Sequence, residues 1–229
     1  MMHKSWFFLF FIVFISHTIS SQRRLSQAWI DLSISKKFSK KLDVSLGMTN
    51  RIGDLGLQTN FSQFTAKYKL YDWMKPSIDY RMVSNRQENG AYQLSNRLNT
   101  NIHFSKEVKR FDFGLRLRYQ YSFSKLVSQQ NDPEFDLAYR FRPSISYDIN
   151  NSIISPTMSV EYFYNPENST LGNRFTKARY TFGFDLELEG PHEFTVAYIL
   201  DQQINLPDPL QKHIVSISYN YKLKSRDKK

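Results

Sequence analysis

From about Trp29 to Leu223 the chain repeats one unit, a run of roughly 10–14 residues in which every second side chain is apolar or aromatic. The positions between are Arg, Asp, Ser, Thr, Asn and Gly. Phe111-Asp112-Phe113-Gly114-Leu115-Arg116-Leu117-Arg118-Tyr119-Gln120-Tyr121 is the clearest copy. A period of two belongs to β-strands with one greasy and one polar face. A tilted strand needs about 9–11 residues to cross a bilayer, so runs of this length predict a membrane-spanning sheet.

Eleven such segments can be marked, at 27–36, 41–51, 58–70, 74–84, 92–105, 109–123, 135–147, 153–164, 173–188, 192–202 and 211–223. Their connections alternate in length. Residues 37–40, 71–73, 106–108, 148–152 and 189–191 form short ones, and 52–57, 85–91, 124–134, 165–172 and 203–210 form longer polar ones. Short turns at one end and longer loops at the other predict an up-and-down barrel, with the short turns on the periplasmic side. Greek-key crossings in a soluble sandwich would not ration loops so evenly. The expected fold is all-β, a transmembrane up-and-down antiparallel β-barrel of 10–12 strands. Twelve is favoured, because single-chain bacterial barrels are even-numbered. The first segment then either has an unrecognised partner or is not a full wall strand.

The apolar rows are expected to face lipid. The polar rows carry Arg, Ser, Thr, Asn and Asp at their middles rather than the Lys and Glu of an ordinary solvated surface. Trp73, Tyr80, Tyr92, Tyr121, Tyr147, Tyr162, Tyr164, Tyr219 and Tyr221 gather toward the ends of the apolar rows, the interfacial levels of an aromatic girdle. Mean hydropathy is negative. A helical membrane protein would not show that, but a barrel does, because half of each strand faces away from lipid.

Ahead of the repeats, Lys4, the apolar run Trp6–Ile15 and the small residues before Gln22 have the layout of a cleaved secretory signal. The expected organisation is a signal peptide over 1–21, a barrel over 22–223 and a basic tail over 224–229. Export of this kind points to a bacterial outer membrane. The chain has no cysteine, which excludes a disulfide frame and a thiol nucleophile.

The formal charge is +10. Nucleic acid is not an expected partner for an exported chain. Lys36, Lys37, Lys40 and Lys41 mark one short turn, Lys106, Lys109 and Arg110 another, and the tail continues the trend. The expected partners are outer-membrane lipid, a small anionic solute, and an acidic periplasmic partner docking at the basic turns.

The tryptophan-led first hairpin with its Lys-rich turn (Trp29 to Leu46) and the Arg-containing strand centres resemble the domain of unknown function 2490 family of predicted outer-membrane β-barrels. Those centres are Tyr80-Arg81, LRLRYQY at 115–121, LAYRFRPSISY at 137–147 and Ala178-Arg179-Tyr180. The resemblance implies an outer-membrane location and brings no reaction, ligand or catalytic residue. The ending departs from the usual barrel pattern of a C-terminal Phe or Trp, since Tyr221-Lys222-Leu223 runs into the basic tail.

Arg51, Arg81, Arg97, Arg116, Arg118, Arg140, Arg142 and Arg179 all have the parity opposite to the apolar row, so they are expected to form a guanidinium belt across the lumen. Unpaired charge in a narrow interior is costly. Counter-charges are expected from Asp79, Glu161 and Asp201 near the belt, Asp43, Asp112 and Asp185 toward the short turns, and Asp136 toward the long loops. Two outcomes are compatible with this set. One is a salt-bridged plug that fills a small barrel. The other is a narrow conduit or anion site built from Arg81, Arg97, Arg116, Arg118, Arg140, Arg142, Arg179 and Glu161. The plug is favoured, because open aqueous channels need roughly 16–18 strands.

No cofactor, metal-ligand spacing, phosphate loop or HExxH motif is present in the sequence. The expected role is non-enzymatic, in envelope structure or in narrow passage or binding of small anions. The competing reading is a lipid- or peptide-cleaving barrel hydrolase near the outer loops, for which His213 with Asp201 and Asp208 is the set to inspect. The favoured reading of His103, His192 and His213 is that each is a surface or interface residue.

Overall fold

The computed structural model describes residues 23–87, 89–123, 137–166, 174–206 and 208–224. Residues 1–21, where a signal segment is expected, the tail beyond Lys224 and Asp136 lie outside the described residues. Eleven strands form a single closed barrel: β1 (Arg23–Lys37), β2 (Leu42–Gly53), β3 (Gly56–Tyr68), β4 (Met74–Arg86), β5 (Tyr92–Val108), β6 (Phe111–Ser122), β7 (Ala138–Tyr147), β8 (Ile154–Asn165), β9 (Arg174–Glu187), β10 (His192–Gln203) and β11 (Leu210–Leu223). Each strand is antiparallel to its sequence neighbours.

Eleven strands lie within the expected ten to twelve, one short of the favoured twelve. β1 pairs in parallel with β11, from Arg23↔Leu210 to Lys36↔Leu223. An odd number of alternating strands can close in no other way, because its first and last members run in the same direction. The first segment is therefore a complete wall strand, and closure leaves no edge exposed. It also puts the start of β1 at the long-loop end and the end of β11 at the short-turn end. Arg24→Cys and Lys224→Cys are accordingly expected to react with a membrane-impermeant maleimide from opposite sides of a sealed vesicle. Reaction from one side would require an even-stranded barrel.

One loop expected to be long is not. Alternation continues through Ile52 to Gly53 and resumes at Gly56, leaving Asp54-Leu55 to make the β2–β3 turn. Gly56 takes a φ of +82°, which costs a residue without Cβ almost nothing. Another irregularity lies between β7 and β8. Their pairing runs to Phe141↔Tyr162 and resumes at Ser144↔Ser159. Pro143, which has no N–H to donate, falls in the gap.

The outer wall is apolar. Leu46, Phe64, Ile78, Met82, Leu117, Phe141, Phe182 and Val215 all stand exposed. A surface so continuous has no place in water and matches hydrocarbon. Aromatic clusters sit at both ends of it. Near the short turns Trp73 stacks between Tyr71 and Phe104, with ring centroids 5.5 and 6.0 Å away, and Phe111 meets Tyr147 at 4.9 Å. Near the long loops Tyr121 meets Phe123 and Tyr164 meets Phe175, each at 5.3 Å. Where the outward row carries a polar group, a lateral neighbour satisfies it. Asn60 donates to Asn50 at 2.6 Å, and the Tyr80 hydroxyl donates to Asn96 at 2.9 Å.

Candidate anion site in the barrel lumen

Strand parity turns the polar rows inward, and the eight belt arginines together with Glu161 line one cavity of about 470 Å³. The register explains their crowding. Arg81 lies directly opposite Arg97, Arg118 opposite Arg140, and Arg116 opposite Arg142. Like charges facing each other across a strand pair repel, so each pair needs a compensating partner.

Three acids supply much of that compensation. Glu161, on β8, accepts from Arg140 Nε at 2.9 Å and Nη2 at 2.8 Å, the forked geometry that suits guanidinium and carboxylate, and from Arg116 at 2.6 Å. Asp79 accepts from Arg118 at 2.8 Å and from Asn101 at 3.1 Å, and Asn101 also donates to Ser77 at 2.9 Å. Asp201 takes Arg179 at 2.7 Å, with the Lys177 ammonium 3.6 Å away. Each of these carboxylates is at least 96% shielded, as is fitting for groups whose charge must be matched locally.

Inward aromatic residues add to it, and sequence reasoning missed them. Trp29, Phe61 and Phe163 have lumenal parity, aligned with Asp31, Gln63 and Glu161 respectively. That parity was the available signal. Arg51 lies 4.0 Å from the Trp29 ring centre, Arg81 4.5 Å from that of Phe61, and Arg140 4.3 Å from that of Phe163. The negative face of each ring offsets part of the guanidinium charge. Asp31 and Lys177 are further lumenal charges not singled out beforehand. Asp31 accepts from Thr49 and, at 3.2 Å, from Ser218.

Two cavity arginines give their side-chain hydrogen bonds to neutral oxygens instead of carboxylates. Arg81 Nε donates to the Gln63 amide oxygen, and Arg142 Nε donates to the Ser159 hydroxyl at 3.1 Å. Among the described residues the eight guanidinium groups of the cavity stand against four acids, Asp31 and Glu161 in its lining and Asp79 and Asp201 paired with Arg118 and Arg179. Cations outnumber acids, and the cavity is large enough for a small organic solute.

Asp43 lines an adjoining hollow at the short-turn mouth, and Asp185 accepts from Thr195 at 2.6 Å. Asp112 is exposed beside the β5–β6 turn. Another hollow, of about 870 Å³, is not lumenal in character. It is bordered chiefly by outward residues such as Ile78, Ile102, Leu117, Tyr139 and Phe141, and belongs to the lipid face.

The set inspected for hydrolysis does not assemble. His213 sits on the outward row of β11, where its Nδ1 lies 2.6 Å from the Tyr198 hydroxyl, whereas Asp201 points inward onto Arg179. Adjacent parities put the two on opposite faces of the wall. Asp208 is exposed in the β10–β11 loop with a φ of 44°. His192 meets the Tyr219 hydroxyl at 2.8 Å, and His103 meets Ser77 at 3.3 Å. Among the described residues no three His, Asp or Glu side chains group closely enough to hold a metal ion.

The family model described as protein of unknown function (DUF2490) matches residues 26–212, nearly the whole barrel. The chain belongs to this family. Among solved structures, one titled as a NanC porin structure is similar, with a TM-score of 0.45 and 14% identity over 76% of this chain and 85% of that one. No curated protein matches. For this DUF2490 member, the closed barrel and its apolar wall suggest an outer-membrane location.

Proposed function

We propose that this DUF2490 barrel resides in a bacterial outer membrane, with its short turns on the periplasmic side, and binds small anions at the lumenal arginine belt. The observation that carries the reading is the trio of cross-strand arginine pairs around one cavity, Arg81 with Arg97, Arg116 with Arg142 and Arg118 with Arg140. A structural plug needs charges that cancel. This belt keeps an excess of guanidinium groups, and Arg81 and Arg142 are held by neutral oxygens, a state that an oxyanion would improve through forked hydrogen bonds. The basic turns carry the second part of the proposal. Lys36, Lys37, Lys40 and Lys41, with Lys109 and Arg110, form a positive rim suited to an acidic periplasmic partner or to anionic headgroups.

Titration of the detergent-solubilised barrel with inorganic phosphate in a calorimeter tests the binding. Saturable heat is expected, weakened at least tenfold in the double variant Arg81→Gln/Arg142→Gln and reduced by salt. Equal binding by wild type and double variant, or no heat in either, contradicts the proposal. The unheated gel mobility of the variant shows whether the barrel is intact.

A further inference from the structure

The lumen is not equally open at its two ends. The belt cavity shares Ser33, Ser45 and Thr65 with a hollow of about 570 Å³ at the short-turn mouth, so the two adjoin. A third hollow, of about 300 Å³, also on the short-turn side, shares Arg116 and Arg142 with the belt cavity. Inward side chains along this half, Ser33, Ser45 and Thr65 among them, remain partly exposed.

At the level of the belt and from there toward the long loops the exposure vanishes, with Phe163 directly opposite Arg140 and Thr59 opposite Arg51. Asn99, Gln120, Phe163 and Ile214 are 0% exposed, Val83 is 2% and Thr59 is 6%. These residues come from β5, β6, β8, β11, β4 and β3, so the layer crosses the barrel instead of lining one wall. It is tied together by polar contacts. Thr59 donates to Asn85 at 2.7 Å, and Arg140 donates to Gln120 at 3.3 Å. On the β10–β11–β1 side, Trp29, Ile199 and Ile214 pack as an apolar cluster. Close packing of this kind leaves no route for a hydrated ion among the described residues.

We infer that the lumen is a blind cup, entered from the short-turn end and floored by the arginine belt, and that its ligand is a small anion carrying several negative charges. The inference rests on the anion-site reading and adds side of entry, absence of through-passage and ligand class. Valence follows from the charge count. Arg118 is matched by Asp79 and Arg179 by Asp201, whereas Arg81 and Arg142 donate to neutral oxygens and Arg116 and Arg140 share the single charge of Glu161, a surplus that one monovalent ion does not meet. The approach is compatible with an anion. Lys37, Lys67 and Lys222 face Asp43 and Glu193 at the mouth, and a hydroxyl-lined neck follows.

The cysteine-free chain makes the test clean. Ser33→Cys places a thiol in the neck and Asn99→Cys places one in the sealed layer, while Arg24→Cys and Lys224→Cys mark the two sides of the membrane. In sealed vesicles a negatively charged methanethiosulfonate is expected to modify Ser33→Cys from the side that modifies Lys224→Cys. Modification from the Arg24→Cys side is expected to be at least a hundredfold slower, and Asn99→Cys is expected to resist from both sides. Pyrophosphate is expected to protect Ser33→Cys at concentrations at least tenfold below orthophosphate. Modification of Ser33→Cys from both sides, or rapid modification of Asn99→Cys, overturns the blind cup even where calorimetry shows phosphate binding. Equal protection by the two anions overturns the multivalent ligand. Absence of binding in calorimetry with one-sided labelling intact overturns the anion-site reading beneath it and leaves the cup standing. Thr65→Cys takes the place of Ser33→Cys if the latter does not fold.

Discussion

Glu161→Gln is expected to destabilise the barrel by roughly 3–5 kcal/mol, the usual consequence of removing one member of a buried ion cluster. The carboxylate is 4% exposed and receives the Arg140 fork as well as Arg116. Glutamine keeps the shape and loses the charge. Arg116 and Arg140 then face Arg142 and Arg118 across the strand pair with their main compensation gone. Urea unfolding of the barrel in detergent, followed by far-ultraviolet circular dichroism, measures the loss. Adding Arg140→Gln to Glu161→Gln should recover part of it, because a neutral pair leaves less uncompensated charge. A loss below about 1 kcal/mol would mean that water already screens the belt.

Phe163→Ala is expected to cost a similar amount, about 3–5 kcal/mol, by a different mechanism. The ring is fully buried in the lumen, with Arg140 4.3 Å and Arg179 5.3 Å from its centre. Truncation opens a void in the sealing layer and removes the aromatic face from both guanidinium groups. Phe163→Leu, which keeps the volume better, should retain most of the packing and lose the cation–π contribution. Its cost is therefore expected to fall between wild type and Phe163→Ala in the same unfolding experiment. Equal costs for the two variants would show that the void carries nothing and the ring face carries everything.

The wall strands could be read from the chain because period-two alternation is a local signal, strong wherever one face meets hydrocarbon. The eight arginines could be placed for the same reason, since parity alone turns Arg116, Arg118, Arg140 and Arg142 inward. Other features follow from non-local geometry. Nothing near Trp29 in sequence shows that β1 runs parallel to a strand some 185 residues later. Strand number therefore could not be settled by alternation and loop rationing. Trp29, Phe61 and Phe163 escaped notice because aromatic residues in a barrel suggest girdle or lipid, although their parity already put them with the polar rows. His213 is the converse case. Its parity matched Val215 and Ile217 and so pointed outward, away from Asp201, while proximity across the last hairpin made the two look like partners. The β2–β3 connection looked long because Gly53, Asp54 and Gly56 interrupt the pattern at the point where the chain turns in two residues.

The orientation of the two faces underlies the barrel, the belt and the cup alike, and a spin-label scan along Phe111–Tyr121 tests it most directly. Nitroxides placed one at a time on β6 of the bilayer-embedded protein are compared for collision with oxygen, which partitions into hydrocarbon, and with a polar nickel chelate. Positions 113, 115, 117 and 119 should favour oxygen, and 114, 116, 118 and 120 should not, giving a period of two. Accessibility that is uniform along the strand, or inverted so that the arginine positions meet the lipid-soluble relaxant, would contradict the structure of this barrel as described.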